Sequence, residues 1–173
     1  MARIHLRPSL LKIRRKSVRW IVIHHTVEIY DDPAVRVDKS EYQTRAIFNQ
    51  VMEKAQGDVN YHYIVEKVKE EYVAIATRPF VYLCDWPDIP NDINERALHV
   101  ALLGSYDIKI PERRMYEVLA FRLLNPFMKM YGITPNRIKL HSEVTNNKDE
   151  VTCPGEFIDK NVIIAMTRRY VIK

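Results

Sequence analysis

The 173-residue chain has little glycine (4) and little cysteine (2), and it has no long apolar run. Two cysteines, Cys84 and Cys153, allow at most one bridge, which excludes a small fold stapled by several disulfides. A reduced, intracellular existence is the simpler expectation. No apolar stretch reaches the roughly 20 residues of a membrane-spanning helix. The amino terminus lacks the continuous apolar core and small-residue cleavage site of a secretory signal. The chain therefore reads as made in the cytoplasm without a signal peptide, so delivery or release must bring it to any substrate beyond a membrane. With only 4 glycines and 9 prolines, a collagen-like or low-complexity chain is ruled out, and no repeat of solenoid period is visible.

Acidic residues are absent from the first 19 positions, which hold seven basic ones: Arg3, Arg7, Lys12, Arg14, Arg15, Lys16 and Arg19. The net charge is +5, so the remainder sums to −2 (+5 less +7) and the positive character sits in the leader. Such a segment suits an anionic wall polymer, an anionic lipid surface or nucleic acid. A solvated arm or a first strand is the plain alternative. A specific nucleic-acid role is not expected, because no aromatic stacking platform, zinc finger or helix-turn-helix signature accompanies the charge.

What the sequence does contain is apolar material, at 47%, enough for a full core in one domain. Trp20-Ile21-Val22-Ile23-His24 is a short β-branched run that predicts a buried strand with chemistry at its carboxyl end. Residues 27–39 read as loop around Asp31-Asp32-Pro33. Ser40 and Gln43 have the form of a capping box, followed by Tyr42, Ala46, Ile47, Val51 and Met52 at helical spacing. Tyr61-His62-Tyr63-Ile64-Val65 predicts a strand that sends Tyr61 and Tyr63 to one face and His62 to the other. Residues 70–77 predict its neighbour. Residues 81–94, rich in Asp and Pro, read as an irregular surface loop. Residues 98–103 predict another strand, ended by Gly104.

Pro111-Glu112 opens a helical stretch with Met115, Val118, Leu119 and Leu123 on one face, kinked or divided at Pro126 and ended at Gly132. Residues 138–141 are extended, residues 142–152 are loop, and residues 156–169 predict the last helix. The pattern implies an α/β fold: a single domain over residues 20–173, following the basic segment 1–19, with a sheet flanked by helices.

Three residues stand where elements begin or end and where side chains converge on a pocket: His24, His141 and Cys153. Two imidazoles and a thiolate suit Zn2+ and leave a fourth position for water, which the ion acidifies toward neutral pH. Thr152-Cys153-Pro154-Gly155-Glu156 predicts a helix start with Pro154 in the first turn and Cys153 as cap, where backbone N–H groups favour thiolate. A small buried hydrophobe is the alternative for Cys153. On a strand, His24 and His25 cannot both face the metal, and the residues alone do not choose between them. His5, His62 and His99 have weaker claims, and Tyr61, taken by itself, reads first as an aromatic core residue.

Ile21-Val22-Ile23-His24-His25-Thr26, Asn60-Tyr61-His62-Tyr63-Ile64-Val65, the segment Leu98 to Asp107, and His141 followed by Thr152-Cys153-Pro154-Gly155 resemble, in order, the motifs of the type 2 N-acetylmuramoyl-L-alanine amidases. That superfamily includes phage amidase endolysins and peptidoglycan recognition proteins. The resemblance implies a central mixed β-sheet with helices packed on it and a zinc-dependent amidase. Its expected substrate bond joins N-acetylmuramic acid to L-alanine in bacterial peptidoglycan. It places the metal ligands on His24, His141 and Cys153, which chooses His24 over His25, and a site tyrosine on Tyr61.

Three positions depart from the family pattern. Val151 stands where phage members typically carry Lys; Lys148, Glu150 or Thr152 are the nearby polar groups that could take over its task, and each reads first as a solvated loop residue. Ser142-Glu143 follows His141 where many relatives have Arg-Asp, so Glu143 is a candidate for orienting an imidazole or else forms a surface salt link. His99 fills a strand position commonly held by Gly. The expectation is a monomeric phage endolysin acting on cell-wall or periplasmic peptidoglycan. The alternatives are a non-catalytic peptidoglycan-binding module, or a regulatory domain that binds a protein partner on the same fold.

Overall fold

The computed structural model describes residues 12–26, 59–148 and 151–169. The helix expected after Ser40 lies outside these residues. Five strands form one sheet: β1 (Trp20–His25), β2 (Tyr63–Val68), β3 (Glu71–Ala76), β4 (Ala97–Leu102) and β5 (Ile138–Leu140), in the order β3-β2-β4-β1-β5. β1 pairs in parallel with both β4 and β5, β2 pairs in parallel with β4, and β2 and β3 form an antiparallel hairpin turned at Lys69 (φ 55°). The sheet is therefore mixed, and it is flanked by helices. β1 lies inside it with residues 21–25 all buried, as a β-branched strand covered on both faces requires.

Alternation along the strands sorts the two faces. Ile21 and Ile23 of β1 join Leu98, Val100 and Leu102 of β4 in the main core, together with Met115, Leu119, Leu123 and Ile163 from the helices. Val22 and Ala97 instead pack with Ile89, and Ala101 packs with Val59 and Ile64. His24 and His99 fall on this second face by the same alternation, and it is here that the functional groups gather.

Two helices, α1 (Asn91–Asn94) and α2 (Arg113–Val118), precede a π-helical segment (Leu119–Leu124), from which α3 (Asn125–Tyr131) continues directly. Pro126 therefore does not break the helix. The ring of a helical proline collides with the carbonyl four residues back, and the widened π turn lies where that carbonyl falls. Gly132 (φ 64°) ends α3 in the left-handed conformation, its N–H donating to the Met128 carbonyl.

The short α4 (His141–Val144) follows β5 immediately, and α5 (Lys160–Arg169) ends the described chain. The last helix thus begins four residues after the position expected from sequence, and Cys153 is not its cap. Gly155, Glu156 and Phe157 form turns whose N–H groups go to the Thr152 carbonyl, Asp107 Oδ1 and the Tyr106 carbonyl, respectively. Asp159 takes the cap role, its carboxylate accepting from the Asn161 N–H at 2.7 Å.

The end of the basic leader is bound into the fold. Arg14 N–H donates to Val81 O and Leu83 N–H to Lys12 O, forming a short antiparallel bridge at Ile13 and Tyr82. The Arg14 guanidinium donates to the carbonyls of Phe80, Glu95 and Ala97. Among the described residues, no helix is long and apolar enough to cross a membrane.

Candidate functional site

His24 comes from the carboxyl end of β1, His141 from the first residue of α4 beyond neighbouring β5, and Cys153 from the turn that precedes α5. Their ligand atoms lie within 4.8 Å of one another. Cys153 Sγ is 3.8 Å from His24 Nδ1. The carboxyl ends of parallel strands are where α/β folds open a crevice, and here two adjacent parallel strands deliver two imidazoles to it.

His25 is turned away, as alternation demands. Its Nδ1 accepts from the Tyr106 N–H at 3.2 Å, and its Nε2 lies 3.7 Å from Asp107. Its backbone nonetheless serves the cluster, because the His25 N–H points at Cys153 Sγ from 3.4 Å.

The two imidazoles are held by their far nitrogens. His141 Nε2 bonds Asp88 Oδ2 at 2.7 Å, and the Thr145 hydroxyl donates to the same oxygen at 2.8 Å. His141 Nδ1 is buried and lacks a hydrogen-bond partner among the described residues. A buried ring nitrogen left open beside a thiol and a second imidazole is the arrangement a metal completes. His24 Nε2 lies 2.9 Å from His99 Nδ1, and Trp86 stacks on the His24 ring at 4.4 Å between centroids.

Electrostatics agree with neutral nitrogen ligands. Burial, reinforced by His99 and His141, holds His24 well below its ordinary 6.5, and burial also lowers His141 against the opposing pull of Asp88. The Cys153 thiol is pushed up to about 12 by burial, with the His25 N–H acting in the other direction. A proton therefore leaves Cys153 only when a cation replaces it.

Tyr61 stands beside this cluster, 5.5 Å from both the His24 and Trp86 rings, with its hydroxyl 3.4 Å from the His25 carbonyl. Burial raises its pKa, so it remains a hydroxyl donor. It does not share a face with Tyr63, whose ring meets Phe127 of α3 at 5.1 Å. Strand β2 begins only at Tyr63, so the alternation expected from residue 61 onward does not apply.

Glu143 is outside the cluster. Its carboxylate binds Lys160 at 2.6 and 2.7 Å and accepts from the Leu140 N–H at 2.7 Å, which caps α4. The carboxylate on His141 belongs to Asp88. Thr152 is exposed, directly before Cys153, and Val151 is half-buried. Sequence reasoning missed Asp88 and Trp86 because residues 81–94 read as surface loop; the one available signal was a tryptophan between two aspartates. His62 and His99 lie behind the cluster and outside the ligand set.

A family profile described as N-acetylmuramoyl-L-alanine amidase matches residues 14–156. Among solved structures, the chain is similar to the N-acetylmuramoyl-L-alanine amidase LysC from Clostridium intestinale URNW (21% identity, 91% of this chain and 89% of that one, TM-score 0.66). It also resembles the Ph2119 endolysin from the Thermus scotoductus MAT2119 bacteriophage Ph2119 (22% identity, 91% and 89%, TM-score 0.59) and wild-type Drosophila PGRP-LB (16% identity, 96% and 88%, TM-score 0.60). At these identities the structural likeness shows the fold. Comparison with curated proteins gives no match. The profile spans most of the chain and runs from Arg14, which anchors the leader, past Cys153, the last member of the cluster, and this chain belongs to the N-acetylmuramoyl-L-alanine amidase family.

Proposed function

We propose that the protein is a zinc-dependent N-acetylmuramoyl-L-alanine amidase of the phage endolysin kind, acting on peptidoglycan after release from the cytoplasm. The observation that carries this reading is the meeting of His24, His141 and Cys153, with the buried His141 Nδ1 left open toward the others. Bond lengths of about 2.1 Å to nitrogen and 2.3 Å to sulfur around a tetrahedral zinc put those atoms roughly 3.5 Å apart. The 3.8 Å between His24 Nδ1 and Cys153 Sγ fits such an ion with a shift of a few tenths of an ångström.

A zinc ion held there would act as a Lewis acid, polarising the scissile carbonyl and acidifying water. Water adds to the lactyl carbonyl carbon, the C–N bond to L-alanine breaks, and the products are a carboxylate and a free amino terminus that has taken up the proton. Tyr61 donates its hydroxyl hydrogen to the oxygen on which negative charge develops. Asp88 and the Thr145 hydroxyl keep the His141 ring fixed during the reaction. Thr152, exposed beside Cys153, supplies a hydroxyl at the edge where Val151 offers none. Glu143 acts at a distance, by capping α4 and so placing His141. The basic leader holds the enzyme near anionic wall polymers.

Val151, which carries no hydrogen-bonding side chain, favours a second reading in which the groove binds muropeptides without cutting them. Mass analysis of digested peptidoglycan, with metal content measured on the same sample, separates the two. The amidase reading expects about one zinc per chain and intact glycan strands, with stem peptides released by a reaction that a chelator stops. Full metal occupancy without new amino termini would replace it with the binding module.

A further inference from the structure

His99 lies on β4, next to β1, and is completely buried. The register pairs it with Val22, so its ring reaches His24 diagonally across the sheet face that carries the cluster. His24 Nδ1 faces Cys153 Sγ, which leaves Nε2 as the nitrogen that carries hydrogen when Nδ1 takes a metal. That Nε2 is 2.9 Å from His99 Nδ1. With Nδ1 of His24 kept bare for a metal, His24 Nε2–H donates, His99 Nδ1 accepts, and the His99 hydrogen sits on Nε2, a buried atom with no hydrogen-bond partner among the described residues.

His99 is itself fixed from behind. Its backbone N–H donates to His62 Nδ1 at 3.0 Å, and His62 Nε2 bonds the Tyr82 carbonyl at 2.9 Å. The His62 and His99 rings stack 5.9 Å apart at 17°. A buried line of hydrogen bonds thus runs from the Tyr82 carbonyl through His62 and His99 to the back of His24. It plays for His24 the part that Asp88 and Thr145 play for His141. The two differ in charge, since Asp88 offers a carboxylate and His99 an imidazole lone pair.

We propose that His99 is a positioning residue for the metal centre: it accepts from His24 Nε2–H, locks the tautomer that frees Nδ1, and thereby sets the affinity of the site for zinc. The proposal rests on the reading of His24 as a metal ligand. An imidazole that must both rotate and exchange its hydrogen before it binds is a weaker ligand than one already set. Removing the outer partner of a ligating histidine lowers metal affinity by about 10–100-fold.

Two measurements test this. Long-range 1H–15N spectra of the metal-free wild-type protein report which nitrogen of each histidine carries hydrogen, with no substitution that could disturb folding. His24 with hydrogen on Nε2 and a bare Nδ1 is the expected result, and hydrogen on Nδ1 overturns the proposal. Zinc affinity is then measured by competition with a chromophoric chelator. His99→Leu, which keeps bulk and removes the acceptor, is expected to bind zinc about 10–100-fold more weakly than wild type. His99→Asn, whose amide oxygen falls near the place of Nδ1, is expected to stay within a few-fold. Equal affinity in His99→Leu and wild type, or equal weakening in both variants, removes His99 from this role. A wild-type protein that takes up no zinc sinks the metal-site reading instead, and that outcome differs from a zinc-binding protein indifferent to residue 99.

Discussion

In the proposed amidase, Tyr61 is the residue on which binding and catalysis separate. Its hydroxyl is held 3.4 Å from the His25 carbonyl beside the His24 ring, yet it does not belong to the candidate metal-binding set. Tyr61→Phe keeps the ring packing and removes one donor. Loss of a single donor to a developing oxyanion costs about 100-fold in turnover, and zinc content in the same preparation should stay at the wild-type value. Turnover unchanged by the substitution would return Tyr61 to the role of an aromatic wall. At this scale the sequence displayed the ligand types and their positions at element ends, because imidazole and thiolate have few other reasons to recur there. It hid their orienting partners. Asp88 is one acid among several in an irregular loop, and apart from the neighbouring Trp86 its local sequence gives no sign that the loop folds back to meet His141. Glu143, two residues from His141, looked the better partner, but proximity along the chain sends its carboxylate to the start of its own helix and to Lys160.

At the scale of elements, strands were more legible than turns. The β-branched run of β1 predicts a strand buried on both faces, and the structure has one. The segment that carries Cys153 was misread as a helix start because Pro154 and Glu156 favour a first turn locally, while tertiary contacts decide otherwise. Gly155 explains the outcome. It adopts φ 103°, and an added Cβ would stand 2.4 Å from the Tyr106 carbonyl carbon and 2.8 Å from Asp107 N. This close approach lets Glu156 and Phe157 bond residues 106–107, while the Cys153 carbonyl accepts from the Ser142 N–H, so the thiol is suspended between two fixed points. Gly155→Ala meets backbone on one side and an unfavourable dihedral on the other, so the turn must move. The expected result is destabilisation of at least about 1–3 kcal/mol, within the range assigned to strained backbone, together with loss of zinc affinity. Thermal unfolding and chelator competition on the variant measure the two effects. A variant with wild-type melting temperature and wild-type zinc affinity would show that the close approach does not hold Cys153.

The whole molecule carries its buried histidines as an acid liability. His24, His62 and His99 are each within a few per cent of complete burial, and their pKa values lie below the ordinary 6.5. For His62 the value falls to about 3, mainly through burial and further through Arg14 and Arg78, against the bond to the Tyr82 carbonyl. In the folded chain these rings stay neutral where an unfolded chain would bind protons. Between pH 6.5 and about 3 the unfolded state therefore holds more protons, and stability falls as the pH falls. Each such ring contributes a slope of about 1.4 kcal/mol per pH unit once the pH is well below 6.5. Three rings together outweigh the carboxylates paired at the exposed surface, such as Glu112 with Lys67, whose contribution is screened by water. Urea unfolding of the metal-free protein at a series of pH values should therefore show a plateau above pH 7 and a loss below pH 6.5 that exceeds the slope of one proton. Because zinc and protons compete for His24, the zinc-loaded protein should begin this decline at lower pH than the metal-free protein. Stability that stays level from pH 7 to pH 4.5 would mean that the buried rings are either already protonated in the fold or reached by water, and the closed polar layer behind the candidate metal site would have to be abandoned.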